Sequence, residues 1–312
     1  MKIYFYEIES WEESFVRQNL PDHEPFFFKN RIDEMDLPSE SEAEAISIFV
    51  NSRITPEVLE RFPNLKFIAT RSTGFDHIDI EAAKKRGILV AYVPGYGDNT
   101  VAEFAFGLIL NLTRKIYRAI DRVKETGSFS LRDLRGADLK GKTIGVVGTG
   151  RIGREMVKIA KGFGMEVLAF DIFQNKAFAE EMVFKYVALD ELLRNSDIVS
   201  LHCPFTEESR HLINKDNVKL FKRGAYLINT ARGGIVETEA LVRGLKEGIL
   251  AGAGLDVLEE EGEINNELMK MSNVLITPHN AFNSEEAIRR ILATTVQNIR
   301  GYLAGKAVNI VG

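Results

Sequence analysis

Three polar clusters in this chain each follow a short apolar run, and together they hold an arginine, four carboxylates and a histidine. Tyr226–Ile228 leads into Asn229-Thr-Ala-Arg232-Gly-Gly234, Ala253–Leu255 into Asp256-Val-Leu-Glu259-Glu260-Glu261, and Val274–Ile276 into Thr277-Pro-His279-Asn280. A fourth cluster, Thr70-Arg71-Ser72-Thr73-Gly74, follows Lys66–Ala69. Ligands of open α/β sheets sit beyond the carboxyl ends of the strands, so chemistry is expected at such clusters. These residue types suit reduction of a carbonyl. Hydride arriving at carbon drives negative charge onto oxygen, which then needs a proton donor and positive charge nearby. A protonated His279 can donate the proton, Glu261 in contact with it would favour the imidazolium, and Arg232 can clamp a carboxylate through two N–H groups. Taken singly, each has a plainer reading as a loop histidine, a solvated acidic face or a surface cation. Their occurrence at successive strand ends favours the chemistry. The five histidines show no metal-ligand spacing, so no metal is expected.

The elements that position these groups centre on Thr143-Ile-Gly-Val-Val-Gly148-Thr-Gly150-Arg-Ile-Gly153, a β-branched run opening into a G-x-G-x-x-G turn. Gly148 permits the tight turn, Gly150 lets backbone approach a pyrophosphate, and Gly153 lets the new helix pack close to the strand. Glu166-Val-Leu-Ala-Phe-Asp171 then ends in a carboxylate 18 residues after the third glycine. Asp171 can accept from both ribose hydroxyls, and Ile172-Phe-Gln-Asn175 offers no cation for a 2′-phosphate. The expectation is NAD rather than NADP.

Short apolar runs alternating with amphipathic segments indicate parallel βα units. Strands are expected at Ile3–Tyr6, Ala45–Val50, Lys66–Ala69 and Leu89–Tyr92, with helices at Thr55–Arg61 and Ile80–Arg86. A second series comprises Thr143–Val147, Val167–Phe170, Ile198–Leu201 and the three runs above. After Pro94-Gly-Tyr-Gly97, Thr100 and Glu103 have capping-box spacing, and Val101, Phe104, Ala105, Leu108, Ile109, Leu112 and Ile116 form one helical stripe. Another helix, Ser284 to Ala304, follows the last strand and is expected to return to the first domain. A net charge of −5 offers no basic field for nucleic acid or anionic membrane. The start has no apolar h-region, no run reaches membrane-spanning length, and Cys203 is the only cysteine, so a cytoplasmic protein is expected.

Over essentially its whole length the chain resembles the D-isomer-specific 2-hydroxyacid dehydrogenases. The matching segments are Ser72–Asp79, Val101–Phe104, Gly141–Gly153, Ser200–Thr206, Leu227–Gly234, Gly254–Val257 and Thr277–His279. The resemblance implies an α/β protein of two doubly wound parallel-sheet domains with a cleft between them. A Rossmann NAD-binding domain would span 99–282, and a flavodoxin-like substrate-binding domain would comprise 1–98 and 283–312. Arg232, Glu261 and His279 take the family's catalytic positions, Glu261 because it lies five residues after Asp256, which helps tune the histidine. Cofactor contacts fall on Gly148, Gly150, Arg151, Ile152, Gly153, Asp171, Cys203, Pro204, Thr230, Ala231 and Asp256. Cys203 is read as a packing residue near the cofactor rather than a nucleophile.

Arg71–Asp76 and Pro94-Gly-Tyr96-Gly resemble the D-lactate dehydrogenase branch, which implies pyruvate as substrate. There the N–H groups of Thr73 and Gly74 would hold the carboxylate, Tyr96 would close over a small 2-keto acid, and Phe282 would supply an apolar wall. Gly262 stands where many relatives have proline, and Asn280 and Asn283 replace commonly apolar residues, which points to a more polar or roomier pocket. Hydroxypyruvate, glyoxylate or a branched-chain or aromatic keto acid is therefore the alternative substrate. An NAD-sensing binding protein is the rival from another class. The resemblance also implies a homodimer through the cofactor domain, with the helix after Thr100 contributing.

Overall fold

The computed structural model describes residues 1–34, 42–260 and 267–311, and the counts below refer to these. The chain divides into two compact units, Met1–Tyr96 with Ser284–Gly312, and Gly97–Asn283.

The first unit contains β1 (Lys2–Phe5), α1 (Ser10–Asn19), β2 (Glu24–Phe27), β3 (Ala45–Ile48), α2 (Pro56–Glu60), β4 (Phe67–Thr70), α3 (Ile80–Lys85) and β5 (Leu89–Ala91). Its strands pair in parallel in the order β2-β1-β3-β4-β5, the flavodoxin-like arrangement. Every residue of β3 and β4 is buried, as a strand covered on both faces requires. Thr55 and Asp79 cap α2 and α3 by accepting from the N–H groups of Val58 and Ala82. The strand β2 is not anticipated by the sequence pattern, because it carries Pro25. An edge position makes that proline tolerable. The C-terminal helix, Glu285–Leu303, is capped by Ser284 and packs beside α1 and β4, burying Ile291, Leu292, Val296 and Ile299. The rings of Phe67 and Tyr302 stack 4.4 Å apart.

The second unit begins with α4 (Asp98–Arg114) and α5 (Ile116–Thr126). Then come β6 (Thr143–Val147), α6 (Arg151–Gly162), β7 (Glu166–Phe170), α7 (Lys176–Glu181), β8 (Lys185–Tyr186), α8 (Leu189–Asn195) and β9 (Ile198–Leu201). It ends with β10 (Ala225–Asn229), α9 (Thr238–Lys246), β11 (Leu250–Leu255) and β12 (Val274–Ile276). The all-parallel order β12-β11-β10-β9-β6-β7-β8 reverses between β6 and β9, the switch point of a doubly wound Rossmann sheet. Alternate residues serve opposite faces. Ile144, Val146, Ile198 and Ile228 join the core beneath α4 and α6, whereas Val147, Val199, Leu201 and Leu227 join the core beneath α8 and α9.

The long stripe after Thr100 is two helices rather than one. The first starts at Asp98 after Gly97, so Thr100 lies inside its first turn and not at its cap. It ends where Lys115 turns left-handed at φ 53°. The cause lies in the returning chain: Ala137 N–H donates to Thr113 O at 3.0 Å, and a Cβ on Gly136 would sit 2.4 Å from that same oxygen. Val101, Ala105, Leu108, Ile109 and Leu112 are buried within the unit, whereas Ile116 falls on α5, which buries no residue.

Candidate active site

One register row closes six strands of the second unit. Phe170, Val147, Leu201, Asn229, Leu255 and Ile276 pair across β7, β6, β9, β10, β11 and β12. The next residues along the chain are therefore Asp171, Gly148, His202, Thr230, Asp256 and Thr277. Gly148, Gly150, Asp171, Cys203, Pro204, Thr230, Ala231, Arg232, Asp256 and His279 all lie within three residues of the strand ends on this row.

The glycine turn behaves as its spacing demands. Gly148 has φ 89°, and a Cβ there would meet the backbone nitrogen of Cys203 at 2.6 Å. A Cβ on Gly153 would lie 2.0 Å from the carbonyl of Gly148, so only glycine brings α6 this close to β6. Gly150 differs, since a Cβ there would meet nothing within 4 Å. That open face stands at the N-terminus of a 12-residue helix, where N–H groups attract anions. Asp171 is already oriented, with one oxygen accepting from Thr149 N–H (2.5 Å) and Thr149 hydroxyl (3.0 Å) and the other from Phe173 N–H (2.9 Å). About four acceptor sites on a carboxylate leave capacity for a ribose hydroxyl. The Thr230 hydroxyl oxygen is buried without a hydrogen-bond partner among the described residues. An open glycine face, an oriented acid and an orphaned hydroxyl at one end of the sheet fit a dinucleotide. Arg151 directs its guanidinium to Asp98 at 2.7 Å, Ile152 packs on the core, and Pro204 accepts from Ser209 through its carbonyl.

Cys203 lies against Gly148, and burial pushes its thiol up to about 11, which disfavours the thiolate and accords with packing. His202, which the sequence reading passes over, is bonded to Ser200 Oγ at 2.9 Å, and burial lowers its imidazole to about 4. It is neutral under ordinary conditions.

His279 sits on a turn built around a buried acid. Asp256 is 1% exposed, and its two oxygens accept from Thr277 hydroxyl (2.5 Å), Asn280 N–H (2.8 Å) and Ala281 N–H (2.8 Å). The N–H of His279 donates to Asp256 O at 2.9 Å, and φ at His279 is 51°, a left-handed conformation uncommon outside glycine. Burial pushes the Asp256 carboxyl above the usual carboxylate range, against the three donors and His279, which act in the opposite direction. The oxygens of Asp256 thus build the turn. Phe282 stands edge-on to the imidazole, ring centres 6.3 Å apart. Asn283 donates to Asn280 Oδ1 at 3.0 Å, so the two unusual asparagines partly satisfy each other.

On the neighbouring strand end but one, Arg232 is half-buried. Asn229 shapes its loop, accepting from Ala231 N–H at 3.0 Å and donating to Arg232 O at 2.9 Å. One guanidinium nitrogen donates to Ala231 O at 2.7 Å. Glu261 and Gly262 lie outside the described residues. No group of three or more His, Cys, Asp or Glu among the described residues is arranged to hold a metal ion. No helix among them is long and apolar enough to cross a membrane.

Residues 106–281 match the family described as D-isomer specific 2-hydroxyacid dehydrogenase, NAD binding domain. The chain belongs to that family. It is 39% identical to 2-hydroxyacid dehydrogenase A of Aspergillus oryzae, over 97% of this chain and 92% of that one. Glyoxylate reductase of Thermococcus litoralis is 40% identical over 97% of this chain and 89% of its own length. Among solved structures, D-lactate dehydrogenase from Aquifex aeolicus, complexed with NAD and lactic acid, superposes with a TM-score of 0.88 at 37% identity, covering 97% of this chain and 96% of that one. The cofactor of this dehydrogenase is NAD, and its two parallel-sheet domains are those of the family.

In the first unit of the dehydrogenase, Thr73 and Gly74 follow β4 on a loop tied down from both sides. Thr73 hydroxyl donates to Val93 O at 2.7 Å and Ser72 hydroxyl to Gly74 O at 2.6 Å. Beside them Arg71, 1% exposed, donates to the carbonyls of Tyr6 (2.8 Å) and Glu7 (2.6 Å). Tyr96 is half-buried, its carbonyl accepting from Arg290 at 2.6 Å. Arg71 is a scaffold residue whose role the sequence conceals, because its acceptors lie 64 and 65 positions away.

Proposed function

We propose that this dehydrogenase reduces pyruvate to D-lactate, with His279 as general acid and Arg232 as the cation that orients the carboxylate. The observation that carries this reading is the turn about Asp256. It holds a histidine in a left-handed conformation beyond the end of β12, while Arg232 stands three residues beyond the end of β10 in the same register row. NADH, when bound, supplies the hydride. Gly150 and the first N–H groups of α6 would receive its pyrophosphate, Asp171 would accept from the ribose, and Thr230 would offer a hydroxyl that has no partner among the described residues. Arg232 spreads two N–H donors over the substrate carboxylate and draws electron density from the neighbouring carbonyl. His279 gives its proton to the carbonyl oxygen as charge develops there, and takes it back in the reverse reaction. We assign Glu261 to the support of the imidazolium, and Thr73, Gly74, Tyr96 and Phe282 to contacts with a small keto acid.

Support for pyruvate comes from the likeness to the Aquifex aeolicus enzyme with bound lactic acid, and the aromatic ring of Phe282 beside His279 offers an apolar contact for the substrate side chain. The glyoxylate reductase at 40% identity supports a second keto acid equally well. NADH oxidation with pyruvate, glyoxylate, hydroxypyruvate, phenylpyruvate and 2-ketoisocaproate decides between them. A kcat/KM preference for pyruvate, with D- but not L-lactate oxidised in reverse, is expected. A preference for another acid moves the substrate and keeps the machinery, and NADH binding without turnover of any would make the chain a sensor.

We also propose a homodimer. The stripe of α4 lies in its own core, so the face for a second copy is α5, where Ile116, Ile120 and Val123 are 40%, 46% and 40% exposed, with Phe129 and Leu131 beyond. Ile120→Glu should convert the dimer to a monomer in sedimentation, and a wild-type chain that sediments as a monomer at micromolar concentration would refute the assignment.

A further inference from the structure

Glu259 and His211 take no part in the chemistry above, yet they meet beside Arg232. His211 Nε2 lies 2.6 Å from Glu259 Oε1, with the side chains 34% and 31% exposed. The other Glu259 oxygen accepts from Thr238 N–H at 3.0 Å and Thr238 hydroxyl at 2.7 Å, so a carboxylate from beyond β11 closes the N-terminus of α9. His211 is itself fixed. Its N–H donates to Gly234 O at 2.8 Å, its carbonyl accepts from Asn214 Nδ2 at 2.9 Å, and its φ is 49°.

These contacts form a ring that passes through the two glycines after Arg232. The backbone of Leu258 and Glu259 presses on Gly233 so closely that a Cβ there would lie 1.9 Å from Leu258 C and 2.4 Å from Glu259 N. A Cβ on Gly234 would lie 2.8 Å from the Phe205 ring. The segment at 258–259 has already left β11, which ends at Leu255, so sheet hydrogen bonds no longer hold it. The Glu259 side chain does. Nor does Arg232 stand on a regular element, since only a short 3-10 turn, Gly233–Ile235, follows it. Any slackening of Glu259 therefore reaches Gly233, the residue bonded to Arg232.

We propose that His211 and Glu259 form a clasp that positions Arg232 for the substrate carboxylate, making both of them positioning residues of the reaction. The clasp rests on the reading of Arg232 as the carboxylate-binding group. Burial pushes the Glu259 carboxyl upward, but Thr238 and His211 outweigh it and hold the group below the usual carboxylate range, so the anion persists at neutral pH. Loss of one charge-assisted contact on a loop that must hold two donors in register should weaken keto-acid use by about tenfold.

The test compares KM and kcat for the best keto acid, and Kd for NADH by fluorescence, in wild type, Arg232→Gln, His211→Leu, His211→Gln and Glu259→Gln. His211→Leu and Glu259→Gln should raise the keto-acid KM about tenfold and leave NADH binding and the thermal midpoint near wild type. His211→Gln, which can still donate to Glu259, should recover most of the loss. In the Arg232→Gln background, His211→Leu should add almost nothing, because both act through one guanidinium. If Arg232→Gln itself leaves KM unchanged, the assignment of Arg232 fails and the clasp with it. If Arg232→Gln impairs KM but the clasp variants do not, or if they weaken NADH and keto acid alike, the clasp alone is refuted.

Discussion

Asp256→Asn is the sharpest test of how the proposed general acid, His279, is held. The carboxylate accepts three hydrogen bonds, from Thr277 hydroxyl at 2.5 Å and from the N–H groups of Asn280 and Ala281 at 2.8 Å each. Asparagine keeps one accepting oxygen. If that oxygen takes the place of Oδ1, the amide NH2 confronts Ala281 N–H; in the other orientation it confronts Asn280 N–H. Either way a buried backbone donor loses its acceptor, at a cost of about 1–3 kcal/mol, and the charge-assisted bonds that survive become neutral ones. Relief from burying a charge offsets part of this, since burial is the largest influence on the carboxyl. A net loss of about 2 kcal/mol lowers the melting temperature of a unit this size by about 4–8 °C.

The kinetic consequence is larger than the thermal one. The donors that Asp256 gathers come from the residues on either side of His279, so relaxation of the turn displaces the imidazole. A displacement of about an ångström costs on the order of a hundredfold in rate. NADH affinity should fall less than kcat, because three of the acceptor positions on Asp256 serve the turn. Calorimetry, NADH titration and steady-state kinetics on the one variant separate these effects. A variant that melts with wild type and keeps its kcat would refute the argument. So would one that loses NADH binding in proportion to activity, since Asp256 would then be acting on the cofactor.

Other perturbations follow from the same geometry. Gly150→Ala should melt with wild type, because its Cβ meets nothing, yet lose NADH affinity by about tenfold or more where the pyrophosphate needs that space, whereas Gly153→Ala, 2.0 Å from Gly148 O, should lose both stability and binding. Arg71→Met strands the carbonyls of Tyr6 and Glu7 and leaves buried Glu12 without its cation, so urea unfolding should show a loss of about 3 kcal/mol. Asp197 is pushed upward by burial, but its bond to Lys222 at 2.8 Å, Thr143 N–H and Lys142 hold it below its ordinary 3.8. Its stabilisation is complete above that value and disappears as pH falls through the lowered one, so Asp197→Asn should flatten the acid limb of a stability-against-pH curve.

What could be read from the sequence was whatever one segment determines alone. The glycine turn and Asp171 were legible because a tight strand–turn–helix limits which residues can stand at each position, and the strand ends were legible because buried parallel strands are short and apolar. Three features were not. The proline hid β2 until its edge position was known. The end of α4 depended on Gly136 and Ala137, more than twenty residues onward, which cap it and throw Ile116 onto a separate helix. Glu259 read as one of three solvated acids, because His211 and Thr238, its partners, lie 48 and 21 positions away.

The division follows from how such a site is made. A catalytic side chain needs only the right type at a strand end, which is local information. Holding it to a fraction of an ångström needs acceptors and walls from other strand ends, and those arrive from distant sequence through the register row shared by β7, β6, β9, β10, β11 and β12. Asp256 beneath His279 and Glu259 beside Gly233 are two instances on one strand end. The first turns its oxygens forward along its own row, the second backward to α9 and the loop after β9. Substitutions at these two positions should therefore separate: the first changes proton transfer, seen in kcat, and the second changes carboxylate binding, seen in KM. A single shared effect on both constants would mean that β11 and its outgoing loop move as one piece, and that neither acid has a partner of its own to position.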